Sequence, residues 1–234
     1  KNIQFSLYLG LPVSLKFNFK GEIPQNPPDL ISAFGQYKIL KQELLSKIEV
    51  KNLSAGEFQA YYNNPGDLVS GLIDLEAQIN LKGQVLQANI SAKGDNLVLE
   101  KDKLKAKLNS RLQTRIDYNL QTKKITFDGG CDISRADISG VELLGEIKNL
   151  RGKFTFNQRS LSAESLKAEL LGLPFEVKLG IKDFNTPVLS IDTDLDLTIL
   201  PAIAKERFNF NLVDSASGKA ALLIKAHPDE NGAW

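Results

Sequence analysis

The stretch Lys103–Leu120, KLKAKLNSRLQTRIDYNL, constrains the fold of this chain more than any other. Its even positions carry Leu104, Ala106, Leu108, Ser110, Leu112, Thr114, Ile116, Tyr118 and Leu120. Its odd positions carry Lys103, Lys105, Lys107, Asn109, Arg111, Gln113, Arg115, Asp117 and Asn119. Successive side chains of an extended backbone point to opposite faces of a sheet, so this period of two describes one strand with an apolar side and a wet side. A helix would need apolar residues at a period near 3.6. Ordinary strands run ~5–6 residues, and this one is far longer.

The pattern recurs. From Ile3 to Phe19 the odd positions are Ile3, Phe5, Leu7, Leu9, Leu11, Val13, Leu15, Phe17 and Phe19, with Gly10 and Pro12 marking a turn or bulge. Ile73, Leu75, Ala77, Ile79 and Leu81 alternate with polar residues as far as Gly83. The phase then flips to Leu86, Ala88, Ile90 and Ala92, as a hairpin requires if its apolar side is to stay on one face. Shorter runs follow at 125–127, 141–147, 154–156, 166–170, 175–181, 189–199, 208–212 and 220–224, giving roughly a dozen or more strands. Helical spacing is confined to Asp29–Ile48, after Pro27-Pro28, where Leu30, Phe34, Tyr37, Leu44 and Ile48 fall three, four or seven apart, and to a short turn at Pro201–Arg207. An internal echo links LGLPVSLKFNFKG (Leu9–Gly21) to LGLPFEVKLGIKD (Leu171–Asp183), two copies of a turn-plus-strand unit.

One apolar face implies an antiparallel sheet and requires a cover for that face. A sandwich or barrel would supply the cover from protein alone, but strands of this length suit a different solution. The expected fold is mainly β: a long antiparallel meander curled into an elongated apolar groove, with one short helical segment. Its parts are a strand pair at about 1–26, a helical or loop insertion at 27–48, groove strands at 49–226 and a polar tail at 227–234.

Composition narrows the function. A net charge of +1 over 234 residues gives no basic field for nucleic acid. A single cysteine, Cys131, rules out an intrachain disulfide. No apolar run approaches the ~18 residues of a membrane helix. The chain contains no methionine, so it reads as a processed or internal piece of a longer protein, with any membrane anchor outside it.

Ile147–Leu200, IKNLRGKFTFNQRSLSAESLKAELLGLPFEVKLGIKDFNTPVLSIDTDLDLTIL, resembles the repeating unit of the AsmA-like family of Gram-negative envelope proteins, the TamB/YhdP-type proteins. The likeness lies in a Gly-start strand, an L-x-x-x-x-L-x-A-x-L-x-G-x-P strand pair and a P-x-L-x-I-x-x-x-L-D-L strand. GDLVSGLIDLEAQINLKG (Gly66–Gly83) resembles that family's L-x-G-x-x-x-L strand. The resemblance implies a repeated β-groove, or β-taco, in an inner-membrane-anchored protein of the periplasm. It also implies carriage of phospholipid between the inner and outer membranes.

On that reading phospholipid acyl chains lie on a floor made by Leu104, Leu108, Leu112, Ile116, Leu120, Ile73, Leu75, Ile79 and Leu81. Phe154, Phe156, Phe175, Val177, Leu179 and Ile181 form a second stretch of it. The competing reading of each is an ordinary core position. Each buried methylene contributes ~0.8 kcal/mol, so an acyl chain needs no polar contact to be held. No catalytic constellation is present: His227 is the only histidine and lies in the polar tail, and Cys131 reads as a half-buried structural thiol. Asp192, Asp194 and Asp196 alternate with apolar residues as the wet face of a strand and lack the glycine and glutamate of a calcium loop. Lys101, Lys103, Lys105 and Lys107 share one solvated face. The chain is therefore expected to be a non-enzyme without metal or cofactor. The alternative function is a structural β-scaffold, a solenoid or sandwich repeat without lipid cargo. An outer-membrane barrel ranks last, because the chain's one tryptophan and five tyrosines form no girdles.

Overall fold

Period two governs almost all of the described residues. The computed structural model describes residues 2–11, 13–23, 27–56, 68–141, 145–170, 172–184, 188–196, 198, 201, 205 and 219–226. They form β1 (Asn2–Gly10), β2 (Ser14–Ile23), β3 (Asp29–Lys38), β4 (Glu43–Ser54), β5 (Leu68–Lys82), β6 (Val85–Lys101) and β7 (Leu104–Asn119). β8 (Ile125–Val141), β9 (Gly145–Asn157), β10 (Ser160–Leu170), β11 (Leu173–Lys182), β12 (Val188–Asp196) and β13 (Lys219–Ala226) complete the set. The strands bond in chain order as an antiparallel meander with β1 and β13 at its two ends, so the sheet does not close into a barrel. The long central strands expected from the alternation are present, with 17 residues in β6 and 16 in β7. The Gly83 turn also forms where the phase flips, with Lys82 opposite Val85 and Gly83 at φ +60°.

The expected helix at Asp29–Ile48 does not form. Residues 27–48 are instead integral to the sheet: β3 and β4 pair from Leu30↔Lys51 to Lys38↔Glu43, around a single 3-10 turn at Ile39–Lys41 closed by Gln42 at φ +51°. Two patterns overlap here. Ile31, Ala33, Gly35 and Tyr37 supply the period-two apolar face, while Leu30 and Phe34 lie on the opposite, polar face and create a helix-like spacing. The neighbouring strands on both sides decide for the sheet, since tertiary pairing overrides weak local propensity. The Pro201–Arg207 turn, the 208–212 run and His227 lie wholly or mostly outside the described residues.

The chain divides into two compact units, Lys1–Leu99 with Asn109–Cys131, and Glu100–Leu108 with Asp132–Trp234. In the first unit the register lines up cross-strand rows on one face. Leu9, Leu15, Tyr37, Leu44, Leu81 and Leu86 form one such row, from β1 to β6. Phe5, Phe19, Ala33, Ile48, Ala77 and Ile90 form another. The second unit does the same with Phe156, Leu161 and Ile181, and with Gly152, Leu166 and Val177.

Where a small residue interrupts these rows, a large neighbour leans over it. Phe17 lies across Gly35, where an added Cβ would stand 2.6 Å from the ring. Ala77 lies between Ile48 and Ile90, Ala163 opposite Leu179, and Ala168 opposite Phe175. The buried apolar residues are mostly alanines: Ala55, Ala77 and Ala88 in the first unit, and Ala106, Ala136, Ala163 and Ala168 with Leu166 in the second. Lateral packing within one layer does this. Among the described residues, Leu166 is the only large aliphatic side chain that is buried.

Candidate functional site

The sheet places most of the expected floor residues on its apolar face. Ile73, Leu75, Ile79 and Leu81 of β5 face Leu53, Val50, Ser46 and Leu44 of β4 on one side. On the other side they face Gly94, Ala92, Ala88 and Leu86 of β6, and all four are half-buried. Leu112 and Ile116 of β7 are also half-buried, while the alternating Arg111, Gln113 and Arg115 are exposed. In the second unit Leu108 is half-buried and Leu104, at the start of β7, keeps 43% of its exposure. Phe156, Val177, Leu179, Ile181 and Phe175 meet Leu161, Leu166, Ala163 and Ala168 across β9, β10 and β11. Phe154, two residues before Phe156 on β9, shares its face and is likewise half-buried. Leu120 departs from expectation. It lies just past β7, is 47% exposed, and donates its backbone N–H to the Gln84 carbonyl at 2.8 Å. Asn119 Oδ1 accepts from the N–H groups of Gln121 and Thr122, and this turn ends the alternation one residue early.

The polar face carries cross-strand and same-strand ion pairs. Lys47 Nζ lies 2.6 Å from Glu49 and 3.0 Å from Glu76, Lys178 lies 3.4 Å from Asp192, and Lys105 pairs with Glu100. Exposed pairs of this kind are screened by water and contribute little to stability. Asp192 therefore acts as the wet-face partner of a lysine, and no metal-binding group of acidic, histidine or cysteine residues occurs among the described residues. The Glu76 carboxyl is held below the ordinary carboxylate range, first by the Lys47 hydrogen bond and then by that from Gln78. Glu176 is lowered as well, first by the Ser165 hydroxyl, which donates to Oε1 at 2.5 Å.

Concavities also occur on this polar side. One of about 920 Å³ in the second unit is lined by Arg135, Arg151, Lys167, Glu169, Glu176, Lys178 and Asp192, where the Lys167–Glu176 and Lys178–Asp192 pairs answer part of the positive charge. One of about 620 Å³ in the first unit surrounds Phe34 and Leu45, which are 49% and 52% exposed. Neither contains a nucleophile–base pair, and Cys131 is half-buried.

Sequence reading missed the device that keeps the apolar face in phase. Three bulges place Asn52, Asn96 and Asn149 at φ +58°, +50° and +54°. Each donates its backbone N–H to an Asx oxygen on an adjacent strand: Asp74 of β5 at 2.8 Å, Asn109 of β7 at 2.6 Å and Asp137 of β8 at 2.9 Å. Asparagine tolerates the left-handed region better than other non-glycine residues. The extra residue also returns the following leucine to the apolar side; at the first bulge Val50 faces Leu75 and Leu53 faces Ile73. At the second bulge the backbone at Leu97 runs so close to Gly71, at φ +119°, that a Cβ there would stand 2.7 Å from Leu97 Cα. The readable signal is the triplet Lys-Asn-Leu at 51–53 and 148–150, with Asp-Asn-Leu at 95–97.

Compared with protein-family models, curated proteins and solved structures, the chain matches none of them.

Proposed function

We propose that the apolar face is the floor of a lipid-binding groove, and that this chain is a segment of an envelope protein that carries phospholipid between the inner and outer membranes. One observation carries the reading. Row upon row of Leu, Ile, Val and Phe shares a face, yet among the described residues nearly every such side chain stays half-buried or exposed. Fully burying one is worth ~1.5–3 kcal/mol, so the face retains a large unspent capacity for apolar ligand. Acyl chains need only a largely apolar surface, and neighbouring rows of similar character let them shift with little change in energy. The headgroups stay in water, and the chain's own residues perform no bond chemistry. The periplasmic setting, the membrane anchor outside this segment and the lipid class follow from the resemblance to AsmA-like proteins.

The experiment is native mass spectrometry and lipid extraction of the gently purified chain, beside a Leu112→Arg variant. Co-purifying phospholipid, lost in a variant that keeps the β-sheet circular dichroism of the parent, is the expected result. A lipid-free parent that also takes up no phospholipid from vesicles overturns the proposal and leaves the structural scaffold in its place.

A further inference from the structure

Three hairpin tips of the first unit stand side by side at one end of its strands, because alternate turns of a meander fall at the same end. They are residues 38–43 between β3 and β4, 82–85 between β5 and β6, and 119–125 between β7 and β8. Backbone contacts join them: Glu43 lies opposite Lys82, and Leu120 donates its N–H to the Gln84 carbonyl at 2.8 Å. All six strands have a bonded neighbour on both sides, so the tips belong to the interior of the sheet.

Turns ordinarily carry Gly, Pro, Asn, Asp and Ser, and the tip at 157–160, Asn-Gln-Arg-Ser, is wholly polar. The three tips of the first unit are not. Leu40 is 77% exposed, Ile125 53% and Leu120 47%, with Val85 and Ile39 at 39% and 38%. The two longer tips are ordered turns. The Gln42 N–H donates to the Ile39 carbonyl at 3.3 Å, and Asn119 Oδ1 accepts from the N–H groups of Gln121 and Thr122. The same residues carry five lysines, Lys38, Lys41, Lys82, Lys123 and Lys124, against one acid, Glu43. Lys38 takes Glu43 at 3.4 Å, and the other four lysines make no ion pair among the described residues. The whole chain carries only +1, so this surplus is local.

Strands ~4.8 Å apart spread the three tips over roughly 20 Å, too far for one small anion to answer all four lysines. The partner must be extended, negatively charged at its surface and oily just beneath. An anionic bilayer has that layering: apolar side chains enter the boundary between headgroups and acyl chains, while lysines lay their stems on the apolar side and keep their charge among the phosphates. An acidic protein surface would answer the lysines and leave Leu40, the barest of the apolar five, in water. We propose that these three tips form a docking edge for an anionic lipid surface, with Ile39, Leu40, Val85, Leu120 and Ile125 entering the headgroup layer and Lys41, Lys82, Lys123 and Lys124 held by its phosphates. The proposal does not depend on what the apolar floor binds.

The test is co-sedimentation of the full chain with vesicles of phosphatidylcholine, alone or mixed with phosphatidylglycerol. Binding should favour the anionic vesicles and weaken when salt rises from ~0.1 to ~1 M, which shortens the screening length from ~10 to ~3 Å. Leu40→Asp with Leu120→Asp should weaken it by ~10-fold or more, and so should Lys41→Glu with Lys124→Glu. All four side chains are exposed, so both variants should keep the parent's circular dichroism. Val69→Asp, an exposed position at the far end of β5, should bind as the parent does. Both tip variants should also retain any phospholipid that co-purifies with the parent, so the groove is judged separately. No binding to anionic vesicles overturns the proposal, as does equal binding to neutral ones. Folded tip variants that bind like the parent overturn it too, and so does capture of an acidic protein by a chain that ignores vesicles.

Discussion

Truncating Leu166 tests the single-layer packing most directly. Leu166 is 6% exposed, with Ala163 at 3% and Ala168 at 5% beside it. It faces Gly152 on β9 and Val177 on β11, and a Cβ added at Gly152 would stand 2.8 Å from its Cδ2, so the leucine fills the space that the glycine leaves. Leu166→Ala removes nearly the whole transfer term and opens a gap that no residue of the facing strand can fill. Leucine-to-alanine changes at buried sites cost ~2–5 kcal/mol. With only one layer, water reaches the gap more readily than in a two-layer core, so the lower part of that range, about 2–3 kcal/mol, is expected. Leu104 lies in the same unit, so the two sites report on one body. It is 43% exposed, and only a little over half of its side chain is withdrawn from water. Leu104→Ala should therefore cost about 1 kcal/mol. Urea unfolding followed by far-ultraviolet circular dichroism, with slope and midpoint both fitted, gives the two values. Equal losses at the two sites would refute the reasoning, because they would mean that Leu104 is sealed in solution as Leu166 is. A Leu166→Ala loss below ~1 kcal/mol would refute it from the other side.

Two further outcomes follow from the polar contacts. Asp74→Ala removes the acceptor of the Asn52 N–H at 2.8 Å and should cost about 1 kcal/mol, with faster amide exchange at Asn52 than at Lys47 or Glu49; unchanged exchange at Asn52 would refute its role in holding the bulge. Ser165→Ala removes the first cause of the lowered Glu176 pKa and should move that carboxyl up toward the usual value, read by carboxyl-carbon NMR titration. Because the folded-state value is depressed, the stability linked to Glu176 is present above the unfolded value of ~4.3 and is lost as pH falls through the folded value. The variant should therefore differ from the parent only above that lower value, and a Glu176 titration that does not move would refute the assignment.

Strand alternation was legible because parity is a local property. Ile73 to Leu81 needs nothing but its own sequence to show which side chains share a face, and the structure puts them there. It failed where a local rule met a non-local one. Leu30 and Phe34 are large apolar residues on the polar face, and together with Tyr37, Leu44 and Ile48 they gave β3 and β4 the spacing of a helix. The three Asn-Leu bulges were overlooked for the opposite reason: each breaks the alternation by one residue, and a broken alternation reads as the end of a strand. In the structure the Asx oxygen on the adjacent strand makes the break a continuation.

Parity also cannot report what lies against a face. The row of Leu9, Leu15, Tyr37, Leu44, Leu81 and Leu86 would read identically in a sandwich, where a second sheet covers it. The distinction lies in which residues end up buried. A two-layer core buries its largest side chains, because they reach furthest into the space between the layers. A single layer buries its smallest, because they are overhung by their neighbours. Alanines that disappear while phenylalanines and leucines around them stay half in water follow the second pattern, and it holds separately within each of the two units. Where a small residue stands among large ones, as Ala77 does between Ile48 and Ile90, the mixture is therefore more than filling. Replacing the alanines by leucines would raise the hydrophobic count of the face and spoil the lateral packing that lets one layer stand without a cover.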